Sequence, residues 1–485
     1  MKIKDEKVIS MFVNKYLLVP QRFFLIVALL FGLPILFFRP AFDVPDFGAH
    51  LLKAYSISEG QLIPKQVSNS KVFDPQVGIS KSNKTYMQVG GTVPEDVASI
   101  SEATSINETT SRGSNIFSAR QQFGLYPKKR NLKLVEVQYN TTAIYNPLSY
   151  APQAISILVG NALHFSLYGI IALVSIVNFV IWMWMIFKAI KVSPIGKWFI
   201  VGLNLLPMTL FIVPSISTDP LLIGTIFLYF AYLMHFLGSE KKLTLKNLIP
   251  IIFLSIILAT LKQTYFVLVF AGIALFKKIR TKRNRILFVL LSIGLPILIM
   301  LSWMAITSRL NFVIAPFSQP HQQLHFIITQ PLTTLHIIAK TLLYNADGFF
   351  WSFFGILGLL TLPIPLWCVI ALTVALILAV AIHDEQSFDI KKCQKVLIAT
   401  VLIANVAFII GALFMYWTTY GSSLLSGLQG RYFIPLAVFV TPLLNRYTTP
   451  FKRQANTILA FESLVIVVLL AVTLILTKTY YPGLI

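Results

Sequence analysis

Apolar residues in this chain fall in long, nearly unbroken runs separated by short polar loops. Runs of this kind match the ~20 residues that an α-helix needs to cross a bilayer core. The first, Phe23–Phe38, is followed by no small-residue cleavage site, which predicts a retained first helix and not a removed signal peptide. Further helices are expected at about Leu167–Phe187, Trp198–Val213, Pro220–Phe236, Ile286–Ile306, Leu366–Ile382, Val396–Tyr416, Ile434–Leu444 and Thr457–Thr477. Two shorter runs, Leu248–Thr260 and Tyr265–Phe276, predict a tight helical pair that needs protein around it. The stretch from Tyr150 to His164 predicts a short interfacial or re-entrant helix, and the Pro-broken, aromatic Gly348–Pro365 a half-span. Together these runs predict an all-α polytopic integral membrane protein of about 11 transmembrane helices.

The longest polar stretch runs from Arg39 to about Tyr150. It divides the chain into a tail (1–22), a first helix (23–38), a large first extracytoplasmic loop (39–165), a helical body (166–477) and a second tail (478–485). Within the loop, Ser68–Thr110 is rich in Ser, Thr, Asn and Gly with little periodicity, and reads as loop or mobile insert. Asn83-Lys-Thr85, Asn107-Glu-Thr109 and Asn140-Thr-Thr142 fit the glycan-acceptor triplet, a pattern that arises readily by chance in such loops.

Only 12% of residues are charged, about half of what soluble domains carry. The net charge of +22 suggests nucleic acid until its distribution is read. Lys and Arg collect in the N-terminal tail and in short loops: Lys188–Lys197, Lys241–Lys246, Lys277–Arg285, Lys391–Lys395 and Arg446–Arg453. Basic short loops between apolar spans mark the cytoplasmic face. The charge therefore reports topology, with the N-terminus inside and the C-terminus outside, and no nucleic-acid partner is expected. Because the loops on both sides of the helical pair are basic, this stretch crosses twice or not at all, and two crossings would place Leu261-Lys262-Gln263-Thr264 at an outer turn. The two cysteines, Cys368 and Cys393, make neither a disulfide framework nor a zinc spacing. No repeat and no nucleotide-binding glycine loop is evident, which argues against a nucleotide-driven pump.

On this topology the outer face gathers Asp43, Asp46, His50, Glu59, Asn146, Tyr150, Asp219, Lys262, Tyr265, Asp347 and Arg431. Ionisable groups near membrane depth are costly unless they face a cavity or water, which makes them functional candidates. Sugar transfer from a polyprenyl-phosphate donor needs a carboxylate to take the acceptor's proton and cations to hold the departing phosphate. Asp46 fits the base, His50 one turn away could orient it, and Lys262 and Arg431 fit the phosphate. Plainer readings stand beside these. Asp46 and Asp219 each precede a helix and could be N-caps, while Lys262 and Arg431 could snorkel to headgroups. His321, His325 and His336 read as solvated loop, Glu462 as a structural contact, and Trp182-Met-Trp184 and Phe349-Phe-Trp351 as interface anchors. Asp43, Asp46 and His50 could hold a divalent ion (Mg or Mn). No cofactor is fixed by the sequence and no residue set is assigned as metal ligands.

Pro45-Asp46, His50, Ala54-Tyr55 and Ser58-Glu-Gly60 resemble the first-loop signature of a bacterial multipass family, domain-of-unknown-function family 2142. The likeness recurs at Asn146-Pro-Leu-Ser-Tyr150-Ala-Pro-Gln153, Ser217-Thr-Asp219, Lys262-Gln-Thr-Tyr265 and Gln429-Gly-Arg431-Tyr-Phe-Ile-Pro435, in order along nearly the whole chain. That family is similar in layout to the GT-C glycosyltransferases, membrane enzymes that use lipid-phosphate sugars with an acid of the first outer loop as base. The resemblance thus implies a GT-C-like helical bundle and Asp46 as base. It also makes Asp43, Lys53, Tyr55, Glu59, Asn146, Tyr150, Gln153, Asp219, Tyr265 and Gln429 the candidate substrate-binding set. Phe47 stands where the family usually has Glu, which removes a carboxylate a metal would use, and Lys53 stands for the usual Arg.

The expected function is glycosyl transfer on the outer face of a bacterial cytoplasmic membrane. The expected partners are a polyprenyl-phosphate sugar donor, a cell-wall or surface glycopolymer acceptor, and membrane lipids. The alternatives are a transporter or flippase of lipid-linked saccharides and a non-catalytic envelope-assembly protein. A transporter predicts midplane ionisable groups in several helices and inverted repeats, and neither stands out in the sequence.

Overall fold

The computed structural model describes residues 18–67, 88–101, 123–124, 126–127, 129–310, 312, 314–315, 317–382, 388–444 and 454–482. The N-terminal lysines, the triplets at Asn83 and Asn107, and the basic residues Arg446, Lys452 and Arg453 lie outside the described residues.

The chain is mostly helical, and among the described residues six helices are long and apolar enough to cross a membrane: α1 (Pro20–Phe38), α4 (Leu167–Val192), α7 (Asp219–Gly238), α10 (Lys282–Ser308), α15 (Lys392–Tyr416) and α17 (Gln454–Tyr480). Each coincides with an apolar run read from the sequence. The other runs are broken or short. The expected helix Trp198–Val213 is two pieces, α5 (Lys197–Asn204) and α6 (Pro207–Ile212), because Pro207 cannot continue the helix that precedes it. The tight pair is present as α8 (Ile249–Thr260) and α9 (Gln263–Lys278). α9 is wound as a 3₁₀ helix, and its 16 residues at ~2.0 Å rise reach about 32 Å. α14 (Leu366–Ala381) and α16 (Gly430–Leu444) are also short and apolar. Beyond α10 come α11 (Pro320–Thr329) and α12 (Pro331–Tyr344), with a bend of 107° between them, then α13 (Ala346–Phe354) and a small hairpin of β4 (Ile356–Leu357) with β5 (Leu362–Pro363).

Between α1 and α4 the expected purely helical and loop-like segment contains a sheet. β1 (Lys65–Gln66), β2 (Val89–Pro94) and β3 (Leu134–Gln138) are antiparallel in that order. Residues 88–101, read from the sequence as loop, are strand followed by a helical turn. Val135 and Val137 point inward on alternate positions of β3. With Val89 and Val93 they cover Leu51, Leu52 and Tyr55 of α2 (Phe47–Ser58) in a second core, distinct from the one between the long helices. The Asn140 triplet is no glycan acceptor: Asn140 is buried and accepts the Val89 N–H at 2.9 Å. α3 (Ala151–Ala162), the short helix expected there, buries Gln153, Ala154 and Ile157 and exposes Ile155, Leu158 and Val159.

The basic loops meet at one end of the bundle. Lys242 Nζ donates to Lys277 O at 3.2 Å, Lys278 Nζ donates to Ser239 O at 2.6 Å, and Gln394 Nε2 donates to Ala274 O at 3.2 Å. The pair α8–α9 therefore leaves and returns to the same end, as its two basic flanks require. At the opposite end, Arg39 closes α1 by donating to Pro214 O at 2.6 Å and to Phe211 O, and Tyr480 of α17 donates to Asp43.

Candidate functional site

The segment after α1 is held by the Arg39 contacts and then turns sharply at Asp46. Asp46 adopts φ 63°, a left-handed conformation rare for side chains other than Gly, Asn and Asp. Its carboxylate makes no cap bond to α2 and remains half-buried, so the capping explanation fails. The His50 N–H closes the first turn on Asp46 O at 3.1 Å, which stacks the two side chains' origins one turn apart.

His50 is buried, its Nδ1 is 2.6 Å from Tyr150 Oη, and its ring stacks on Tyr145 at 6.0 Å and 10°. Burial pushes the imidazole down to about 4, against Asp46 and Asp219, which favour its charged form; Lys262 and Arg431 act in the same direction as burial. It is neutral near pH 7. The four ionised groups named there, from four separate segments, all lie within electrostatic reach of this ring.

Asp219 opens α7 and binds Lys262, the residue before α9, at 2.5 Å. It is not the N-cap, a position that Thr218 holds; Asp219 is the first helical residue, and Ser217 Oγ accepts its N–H at 3.2 Å. Arg431 begins α16. Gly430 beside it lies so close to Phe349 O of α13 that a Cβ there would sit 1.9 Å from that oxygen, and Gly430 N–H donates to Ser352 Oγ at 2.7 Å. Arg431 is buried, lies over the Tyr432 ring at 5.4 Å and leaves its Nε without a partner. Tyr265 Oη fixes the same segment by donating to Tyr432 O at 2.9 Å.

The structure thus brings together Asp46, His50, Tyr150, Asp219, Lys262, Tyr265 and Arg431. Gln153 adjoins them: its Nε2 donates to Ser217 O at 2.9 Å while its Oε1 has no partner. Gln429, two residues before Arg431, has a buried Oε1 without a partner. The remaining candidates are elsewhere. Asp43 is engaged by Tyr480, and burial holds its carboxyl above the usual range despite that bond and nearby Arg39. Lys53 is fully buried between the Tyr139 ring at 5.3 Å and the Trp303 ring at 5.8 Å, and its Nζ has no hydrogen-bond partner. Tyr55 is buried on the sheet side beside the Arg130–Asp96 pair. Glu59 is exposed at the far end of α2, about 20 Å along the axis from Asp46. Asn146 spends its Oδ1 locally, accepting Leu148 N–H at 3.0 Å.

Asp347, His321, His325 and His336 are exposed. Among the described residues no three His, Cys, Asp or Glu side chains come together to hold a metal, and Asp43, part of the divalent-ion reading, faces Tyr480 instead. Two contributors escaped the sequence reading, Tyr145 against His50 and Tyr432 under Arg431. Both stood inside stretches singled out for their neighbours, and aromatic character alone did not separate them from interface anchors.

These observations define a polytopic helical membrane protein with a buried ionisable cluster where several of its apolar segments end. The chain belongs to domain-of-unknown-function family 2142, described as a predicted membrane protein, whose profile matches residues 29–440 and so contains the whole cluster. Comparison with curated proteins and with solved structures gives no match.

Proposed function

We propose that this protein is a GT-C-like glycosyltransferase that moves a sugar from a polyprenyl-phosphate carrier to a cell-wall or surface glycopolymer, on the outer face of a bacterial cytoplasmic membrane. One observation carries the reading. Lys262 is already neutralised by Asp219, whereas Asp46 and Arg431 face one site without an ion pair between them, so the Asp46 carboxylate and the unpartnered Nε of Arg431, whose guanidinium also bonds Tyr432, are left for a ligand. A substrate that satisfies both presents a hydroxyl to donate and an anion to be held.

In this reading Asp46 takes the proton of the acceptor hydroxyl as its oxygen attacks the anomeric carbon. The bond to the carrier phosphate breaks with inversion, and the electron pair leaves on a phosphate held by Arg431 and shared with Lys262. His50, neutral and fixed by Tyr150, orients the acceptor, and Gln153 and Gln429 offer acceptor oxygens to sugar hydroxyls. The same reading takes α1, α4, the α5–α6 pair, α7, α8, α9, α10, α14, α15, α16 and α17 as crossings, about 11 in all. The N-terminus then lies inside, and the cluster and the end of α17 lie outside.

Mass spectrometry of surface glycans in cells carrying the native protein, a deletion or Asp46→Asn tests the function. The expected outcome is loss of one sugar substituent in both altered strains, with near-native amounts of the Asn variant in the membrane. A glycan lost only in the deletion strain would instead indicate transport or assembly and exclude Asp46 as the base.

A further inference from the structure

We infer that α12 lies in the plane of the membrane, seated in the boundary between headgroups and acyl chains of the leaflet at the Arg431 end, and that its occupant is phospholipid. The bent pair α11–α12 is apolar enough to count together as one span. Its geometry opposes a crossing: the path bends by 107° between the two helices, so they cannot run end to end through a core of about 30 Å.

The three sides of α12 differ in a way that a crossing helix does not require. Thr334, Ile337 and Thr341 recur at helical spacing and are buried against the protein. Leu332, Leu335, Leu342 and Leu343 form an uncovered apolar side, with Leu332 and Leu343 each 81% exposed. Thr333, His336 and Lys340 occupy the sector between the two, and all three are exposed. A helix lying in an interface needs these three sectors, one for protein, one for acyl chains and one for headgroups and water. Its position along the bundle agrees. Thr341 Oγ1 accepts the Leu425 N–H at 2.9 Å, which sets α12 beyond the end of α15. Phe326 of α11 stacks on Phe414 in the last turn of α15 at 6.5 Å. α13 then connects α12 to the Gly430 contact beneath Arg431. The imidazole of His336 and the ammonium of Lys340 face the level where lipid phosphates lie, so charge as well as apolarity fits a phospholipid surface.

The test uses the full-length protein in phospholipid nanodiscs, with Cys393→Ser and the buried Cys368 retained. Single cysteines replace Leu335, Leu342, His336 or Lys340, all exposed positions, and carry a fluorescent label. Brominated phospholipid is expected to quench the labels at 335 and 342 strongly and aqueous iodide to quench them weakly, with the order reversed at 336 and 340. Quenching of all four by lipid alone would make the pair a span and overturn the inference. Iodide quenching of all four would place α12 in water, and protection of 335 and 342 from both quenchers would mean that a second protein surface covers them; either overturns it.

Discussion

At Asp46 the backbone is left-handed with φ 63°, a conformation that Asn and Asp tolerate best. Asp46→Asn therefore removes the charge while keeping the turn, whereas Asp46→Ala adds about 1 kcal/mol of backbone strain and confounds folding with chemistry. Lys53 makes a second residue-scale prediction. Burial without a counterion lowers its amine to about 7. A folded value below the unfolded one means that the unfolded chain binds more protons between the two. The stability present above pH 10.5 is accordingly lost as the pH falls toward 7, on the order of 5 kcal/mol if fully expressed. The thermal midpoint in detergent should rise from pH 7 to 10. Lys53→Met should flatten that rise and raise the midpoint near pH 7, since an apolar chain of similar length replaces an unpaired buried cation. The Asp219–Lys262 pair behaves oppositely. Lys262→Met leaves Asp219 partly buried and unpaired, and should cost about 3 kcal/mol in thermal or denaturant unfolding. Most residues of the cluster were legible because each stood in a short polar motif at the end of an apolar run. What a motif does not carry is direction: Asp43 and Lys53 share the stretch of Asp46 and His50, yet a sharp turn and one helix face send them to Tyr480 and to two aromatic rings.

Among the elements, the six long helices follow from apolar length alone, and the sheet does not. Leu134-Val-Glu-Val-Gln138 alternates as a half-buried strand should, but five residues inside a long polar stretch are a weak signal, and the partner strand begins Val89-Gly-Gly91. Those glycines are there for closeness. A Cβ on Gly90 would sit 1.8 Å from the Val137 carbonyl oxygen, a backbone atom that has no room to give. Gly90→Ala should therefore cost about 3 kcal/mol or more and reduce the amount of folded protein recovered, read by size-exclusion profile after extraction. Helix breaks were legible where proline stood, as at Pro207. Less legible were the two π turns Ala28–Gly32 and Leu290–Gly294, each ending on the glycine of Gly-Leu-Pro-Ile-Leu, where the proline has no N–H for the preceding turn. The 3₁₀ winding of α9 has no such marker. Its sequence gives the short apolar run, and only the packing shows how so few residues extend so far.

For the whole molecule, the gathering of basic loops at one end and of the ionisable cluster at the other was the most legible feature, because charge distribution survives errors in individual helix limits. Cysteines placed at the exposed Glu59 and Gly421 should react with an impermeant maleimide in intact cells. The exposed Cys393 and a cysteine at Lys241 should react only after permeabilisation. Reaction of Glu59 and Lys241 from one side would overturn the arrangement. The bond from Tyr480 to Asp43 joins residues 437 positions apart. During synthesis at about 5–20 residues per second, Asp43 emerges roughly 20–90 s before its partner exists. The clasp on Asp43, three residues before Asp46, therefore closes only after α17 has been made, late in the assembly of this end of the bundle.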